Sequence, residues 1–327
     1  MGVKIKDIIS PENISFKDLD GKIIAIDAAN TIYQFLSSIR QADGTPLMNK
    51  DGNITSHLSG LLYRTSAIVE KGIKPIFIFD GKPTPLKSET INKRNEVKEE
   101  SEAKWKIAME QGDTEAARKY ATRTSRMSQY IIDSSKKLLD LMGIPHVQAF
   151  GEGEAQATYM VQNNDAWAVA SQDYDCLLFG SPRIIRNLTL SGNKADLEYY
   201  QLSNVLTNLG ITREELIDLA LLVGTDFNEG VKGIGAKTGL KIIKKQKLEE
   251  YLKKNDKTLG RNPYELRDLF LNHEINKDYD IKWNKINKDK LTYFMCENNG
   301  FSQERVLTAA KKLEKLNSSQ NSLDAWF

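Results

Sequence analysis

Three short apolar runs, each halted by an aspartate, constrain this chain more than any other feature. Lys22-Ile23-Ile24-Ala25-Ile26 stops at Asp27, and Pro75-Ile76-Phe77-Ile78-Phe79 stops at Asp80. Ala166-Trp167-Ala168-Val169-Ala170 leads through Ser171 and Gln172 to Asp173 and Asp175. Runs of this length and composition read as buried strands. Helical patterns separate them, such as the stretch from Ser56 to Glu70, and strands alternating with helices predict a parallel sheet. In such sheets ligands collect beyond the carboxyl ends of the strands, which is where these aspartates fall.

Two further places add acids to the same rim. The apolar piece Ile144-Pro145-His146-Val147 runs into Gly151-Glu152-Gly153-Glu154-Ala155 and then a helix. Glu152 and Glu154 therefore sit at a helix N-terminus, which favours negative charge. The amphipathic run Glu214 to Val223 ends in Gly224-Thr225-Asp226. One acid after a strand is ordinary surface chemistry, but seven together are not. Crowded carboxylates repel, and they take up protons or move apart unless cations neutralise them. Hard oxygen donors suit Mg²⁺ or Mn²⁺, whereas His57, His146 and His273 are scattered and match no zinc spacing. A divalent pair held by such acids activates water and stabilises the leaving oxygen of a phosphodiester, so the pattern points to phosphate chemistry.

Composition narrows the setting. A chain of 327 residues allows one large α/β core or two modest domains. Charged residues make up 28%, yet the formal net charge is only +2, so any nucleic-acid surface must come from segregated charge. Cys176 and Cys296 fit neither a zinc site nor a disulfide framework, which favours a reducing compartment. Lysines interrupt the N-terminal residues where a signal peptide would be apolar, and Lys6 stands where myristoylation requires Ser or Thr. No apolar run is long enough to span a bilayer. The expectation is a soluble intracellular chain with no membrane partner, cytoplasmic or, in a eukaryotic source, nuclear.

Between Lys82 and Arg126 the sequence is dense in Lys, Glu and Arg. A solvated helical excursion is the plain reading of such a stretch. Lys87 and Arg94, however, lie seven apart, so on a helix they share a face at roughly 10 Å from each other. They follow Asp80 closely, which aims that face at the acids, where cations would stabilise charge developing on a phosphate. The helical pattern breaks at Gly112-Asp113, consistent with two helices joined by a turn. Farther on, Gly230-Val231-Lys232-Gly233-Ile234-Gly235-Ala236-Lys237-Thr238 lies between two helical stretches. It is not a nucleotide-binding P-loop, because Ala236 displaces the required lysine and a helix precedes it. It reads either as a helix cap or as backbone amides that, with Lys232 and Lys237, hold phosphates of a duplex.

These motifs together resemble the flap endonucleases. Ile-Asp-Ala-Ala-Asn around Asp27, Phe-Asp-Gly-Lys-Pro around Asp80, Gly-Glu-Gly-Glu-Ala, Gln-Asp-Tyr-Asp-Cys and Gly-Thr-Asp-Phe occur in the family's order, and the likeness runs from Gly2 to Phe327. The resemblance implies an α/β fold: a PIN-like nuclease core with a central, mostly parallel sheet flanked by helices, a helical arch and a helix–two-turn–helix. It implies one nuclease domain over residues 1–316, with the core drawn from about 1–100 and about 140–260, the arch at about 82–132, and a flexible tail at 317–327. The implied activity is that of a monomeric, structure-specific 5′ flap endonuclease with 5′–3′ exonuclease activity. Such an enzyme acts on flaps, nicks and gaps in lagging-strand maturation and base excision repair.

The family's metal-binding acids carry over to Asp27, Asp80, Glu152, Glu154, Asp173, Asp175 and Asp226. By that analogy the first four surround one Mg²⁺ ion and the last three serve a second, some through water, with Mn²⁺ able to substitute. Lys87 and Arg94 match the catalytic arch cations. Gly2, Tyr33, Arg40, Arg64, Gly224, Lys232, Gly233, Gly235 and Lys237 match positions at the DNA, as do Glu152 and Asp226. Tyr33 corresponds to a base-stacking tyrosine, against the alternative of a core aromatic; Arg40 and Arg64 also read as solvated surface arginines. The glycine loop matches a motif that binds K⁺ through backbone carbonyls. Gly151 departs from the family, which has Ser there. At the end of the chain Gln320, Leu323, Trp326 and Phe327 have the spacing of a peptide that docks on sliding clamps, after a polar stretch that reads as linker. Two other functions compete: a related exonuclease or junction resolvase, and a non-catalytic DNA-binding clamp adaptor. Retention of all seven acids with Lys87 and Arg94 weighs against the adaptor, since a pure binder gains nothing from repelling phosphates.

Overall fold

Alternate residues of the central strands enter two different cores, which is why those runs are apolar throughout. The computed structural model describes residues 2–82, 84–190 and 196–318, with backbone alone at 88, 89, 91, 93, 317 and 318. Its strands are β1 (Glu12–Asn13), β2 (Ile23–Asp27), β3 (Lys74–Phe79), β4 (His146–Gln148), β5 (Ala168–Ala170), β6 (Arg183–Arg186) and β7 (Glu198–Gln201). They form one seven-stranded sheet in the order β1-β7-β6-β5-β2-β3-β4. From β6 to β4 all pairings are parallel, and β7 runs antiparallel to both β6 and the edge strand β1. Asp27 pairs with Ile78 and Ile26 with Ala170, so β2, β3 and β5 end at nearly one level.

Ala25, Ile76, Ile78, Val169 and Ile184 face one core, and Ile24, Ile26, Phe77, Phe79, Ala168 and Ile185 the other. Strands covered on both faces are the rule in parallel sheets, and each fully buried isoleucine contributes roughly 1.5–3 kcal/mol. Helices α1 (Ala28–Ser38), α2 (Ser56–Glu70), α3 (Ser88–Glu110), α4 (Thr114–Ala121), α5 (Gln129–Met142), α6 (Gly153–Gln162), α7 (Asp175–Phe179), α8 (Leu202–Leu209), α9 (Arg213–Val223) and α10 (Ala236–Ile243) follow in chain order. The second core takes α1, α2 and α5, and the first takes α6 to α10. On α1, buried Ala28, Thr31, Ile32, Phe35 and Leu36 repeat at helical spacing. Gly60 of α2 is required where the two helices meet, because a Cβ there would stand 2.1 Å from the Phe35 ring.

The helix expected from Ser56 to Glu70 has those bounds, and the break at Gly112-Asp113 separates α3 from α4. The four positions proposed for clamp docking, Gln320, Leu323, Trp326 and Phe327, lie outside the described residues. Helix α3 has no apolar face to bury: Val97 and Ile107 are 53% and 52% exposed. Its own surface carries the (i, i+4) pairs Lys104–Glu100 and Lys106–Glu102, which contribute little each in water. It packs chiefly on α4, and its N-terminal end, beside Asp80, comes down over the carboxyl ends of the strands. Among the described residues no helix is long and apolar enough to cross a membrane.

Candidate active site

The end of β2 supplies the first acid and the start of the next helix together. Asp27 is both the last strand residue and the N-cap of α1, with Oδ1 accepting from the Asn30 amide at 3.0 Å. Capping fixes the carboxylate against the helix end, where its charge is favoured. Asp80, just past β3, plays the corresponding part for α6: its Oδ1 accepts from the Gly153 amide at 2.7 Å. A Cβ at Gly153 would stand 2.7 Å from that same oxygen, so glycine between Glu152 and Glu154 is what lets Asp80 approach. Glu152 is the N-cap residue of α6, but its side chain makes no cap bond; it turns instead to the Lys87 ammonium. Gly151, which precedes that N-cap, accepts from the Gly81 amide through its carbonyl at 2.7 Å.

The N-terminal residues close the other side. Gly2 N donates to Asp173 Oδ1 at 2.9 Å and Val3 N to Asp175 Oδ1 at 2.7 Å. A Cβ at residue 2 would meet Asp173 Cβ and Asp175 Oδ1 at 2.8 Å, so only glycine fits. Asp226 follows α9 beyond Gly224, whose φ of +107° and close approach to the Glu229 carbonyl exclude a side chain.

Two residues outside the sequence-derived set link these acids. Asn30 Nδ2 donates to Asp173 Oδ2 at 2.9 Å, and Ser171 Oγ lies 3.2 Å from both Asp27 Oδ2 and Glu154 Oε1. Ser171 Oγ also accepts from the Asp173 amide at 3.2 Å. Neither residue carries a charge; Asn30 closes the Ile-Asp-Ala-Ala-Asn motif, three residues after Asp27, and Ser171 stands two before Asp173.

Burial and mutual repulsion govern the charge state. Asp27 and Asp175 are each 5% exposed. Burial, with Asp80 and Asp173 nearby, pushes the Asp27 carboxyl up to about 7. Burial, with Asp226 and Asp173 nearby, does the same for Asp175, also to about 7. Glu154 is raised well above the usual glutamate range, by burial first and then by Asp175 and Asp27. The positive charge that such a cluster demands comes from α3 and the residue before it. Lys87 Nζ pairs with Glu152 and lies 3.9 Å from Asp226 Oδ2, while Arg94 Nη2 donates to Asp226 Oδ1 at 2.6 Å. Burial opposes charge on Lys87, but Glu152, Asp226 and Glu154 outweigh it and hold its ammonium above the usual lysine range. Glu152 itself is raised, because burial exceeds what Lys87 gives back. Thr90 Oγ1 fixes the same helix by donating to the Asp226 carbonyl at 2.9 Å, and the Phe227 ring lies 5.2 Å below Lys87 Nζ.

All seven acids, Gly2, Lys87 and Arg94 thus belong to one connected site. Among the described residues no three His, Cys, Asp or Glu side chains already stand at the spacing that grips a single ion. Instead, the ammonium and guanidinium lie among the oxygens. Tyr33 is half-buried on α1 rather than in either core, with Lys98 Nζ 5.2 Å from its ring. Arg40 is tied internally, donating to the Leu36 and Gly44 carbonyls and to Ser125 Oγ at 2.8–2.9 Å. Arg64 is half-buried. Lys232, Gly233, Gly235 and Lys237 lie exposed on the loop between α9 and α10 and on the first turn of α10, with Lys241, Lys244, Lys245 and Lys247 exposed beyond them.

The arrangement has known counterparts. Family models described as XPG N-terminal domain and XPG I-region match residues 1–101 and 143–226, together more than half of the chain. A flap endonuclease 1 from Methanobrevibacter smithii is 60% identical over 327 residues, covering all of both chains. The solved flap endonuclease-1 from Methanococcus jannaschii superposes with a TM-score of 0.81 at 42% identity, covering 98% of this chain and all of that one. The catalytic core of Rad2 in complex with DNA substrate superposes with a TM-score of 0.71 at 25% identity, covering 93% of this chain and 96% of that one.

Proposed function

We propose that this chain, which belongs to the flap endonuclease family, cuts 5′ flaps, nicks and gaps in DNA by metal-assisted hydrolysis of a phosphodiester bond. Family membership makes it a nuclease on a PIN-like core. The observation that carries the finer reading is the convergence of Asp27, Asp80, Glu152, Glu154, Asp173, Asp175 and Asp226 beneath Lys87 and Arg94. The donor set is all hard oxygen, which fits two Mg²⁺ ions, with Mn²⁺ able to replace them. The upward push on buried acids means that the cluster needs cations, and a lysine ammonium already stands in for one. Divalent ions bound there supply the Lewis acidity that activates water and stabilises the leaving oxygen.

The protein's own residues do the rest. Gly2 and Val3 amides, the α6 N-terminus and the α1 N-terminus hold the carboxylates in place. Lys87 and Arg94 exchange their carboxylate partners for the scissile phosphate and stabilise its developing charge. Tyr33 stacks on a base beside the site, and Gly224 lets the chain turn there without a side chain. Lys232, Gly233, Gly235 and Lys237 hold backbone phosphates of the duplex, and carbonyls of the same loop take a K⁺ ion. The tail residues Gln320, Leu323, Trp326 and Phe327 dock a monomeric enzyme on a sliding clamp, in replication and repair inside the cell.

Product mapping on end-labelled flap, nicked and single-stranded DNA tests this reading. Cleavage at the flap junction in Mg²⁺, abolished by chelator, supports it. Equal cutting of unbranched single strands, or turnover undiminished in chelator, would refute it.

A further inference from the structure

The hydrogen bonds around Asp27 and Asp173 close into a ring. The Asn30 amide donates to Asp27 Oδ1 and its side-chain Nδ2 to Asp173 Oδ2. The Asp173 amide donates to Ser171 Oγ, and that hydroxyl returns to Asp27 Oδ2. Four residues from two strand ends, β2 and β5, are locked together by four bonds of 2.9–3.2 Å. A carboxylate free to rotate about χ2 can aim its lone pairs in many directions; these two cannot. Asp173 has its other oxygen held by Gly2 N, so both of its oxygens carry a donor, and Asp27 carries the Asn30 amide on Oδ1 with Ser171 Oγ beside Oδ2. Each keeps further acceptor capacity, aimed in a direction the ring fixes.

Ser171 extends the ring to a third acid. Its hydroxyl is equidistant from Asp27 Oδ2 and Glu154 Oε1 yet has one proton to give. It is 5% exposed, so its hydroxyl is held among these groups rather than in bulk water. Cys176 Sγ, 3.6 Å from the same Glu154 oxygen, is a weak donor and does not replace it. Ser171 therefore ties Asp27 and Glu154 to one hydroxyl.

We infer that Asn30 and Ser171 are positioning residues of the metal centre, holding the Asp27–Glu154 acids and the Asp173 acid in register so that divalent cations bind to both groups at once. This rests on the metal reading proposed above. Outer partners that orient ligands typically change metal affinity by about 10- to 100-fold when removed. Asn30→Leu removes the side-chain bond to Asp173 and keeps the backbone bond to Asp27, and Ser171→Ala removes the hydroxyl with almost no change in volume.

The test is Mn²⁺ titration of the full chain, followed by the electron paramagnetic resonance signal of the free ion, which counts bound ions without relying on turnover. The expected result is a tenfold or greater loss of affinity at one or more sites in both variants. Melting temperatures in chelator stay near that of the parent, and Ser171→Thr, which keeps the hydroxyl, retains parental affinity. Steady-state cleavage of flap DNA by Asn30→Leu should show a lower kcat with KM little changed. Parental Mn²⁺ affinity in both variants overturns the inference while leaving the metal reading intact. A parent chain that binds no Mn²⁺ overturns both. If Ser171→Ala melts early in chelator, the decision falls to Asn30→Leu, whose side chain is only half-buried.

Discussion

Arg94 Nη2 and Asp226 Oδ1 stand 2.6 Å apart although 132 positions of sequence separate them. Lys87 makes the matching contact with Glu152. The two cations proposed to meet the phosphate are therefore paired with two of the acids proposed to take the metal. The two roles compete, and that competition separates a catalytic lysine from a structural one. Replacing Lys87 by Met should lower kcat on flap DNA by about 100-fold, the effect of removing one electrostatic donor from a reacting centre. The same variant should bind Mn²⁺ more tightly than the parent, because the competing ammonium is gone. A Lys87→Met enzyme with weaker Mn²⁺ binding would show that the lysine supports the acids rather than competing for them.

Away from the site, His57 sets an acid limit on stability. It is fully buried in α2, bonded through Nε2 to Ser134 Oγ at 2.8 Å, and Nδ1 has no partner. Burial lowers its pKa from 6.5 to about 3. Because the folded value is depressed, the unfolded chain binds the extra proton first; the stability is fully present above pH 6.5 and lost as pH falls toward 3. At a pH of about 5 the loss is roughly 2 kcal/mol from this one group. Denaturant titrations at about pH 8 and about pH 5 should show a smaller drop for His57→Gln than for the parent. Equal drops would contradict the assignment.

The exposed lysines around the glycine loop make a graded prediction. Lys232→Gln and Lys237→Gln should each weaken duplex binding uniformly across sequences and reduce the slope of log affinity against log salt by about 1. Neither should change kcat at saturating DNA. An unchanged salt slope in the double variant would remove the loop from the DNA-binding surface.

The tail is tested by truncation. Ending the chain after Ser319 should leave basal flap cleavage unchanged and remove stimulation by a sliding clamp. Stimulation that survives the truncation would place clamp docking elsewhere.

Much of the fold was legible because the strands are buried on both faces: an unbroken apolar run ending at Asp27 or Asp80 is too short for a helix and too apolar for a strand with one wet side. The acids were legible for the same reason, since each is anchored to the end of a strand or a helix that hydrophobic pattern alone delimits. The partners of those acids were not. Asn30 is an ordinary polar residue in the first turn of a helix, and Ser171 one residue past a strand; only the register of β2 against β5 turns them into a ring. The antiparallel edge was also hidden, because Arg183–Arg186 and Glu198–Gln201 are short and end in polar residues that read as loop. Arg40 illustrates the reverse case: its three donor groups are spent on Leu36, Gly44 and Ser125, a fixed arrangement that sequence could not separate from a solvated surface cation.

The N-terminus, Asn30 and Ser171 all converge on Asp173, one of the acids of the proposed metal centre. The most direct measurement is single-turnover cleavage of a 5′-flap substrate by Asp173→Asn in Mg²⁺, with flap affinity measured in parallel. The prediction is cleavage abolished and binding largely intact. Cleavage at the parental rate would contradict it, because the acid cluster would then not be where the phosphodiester is cut.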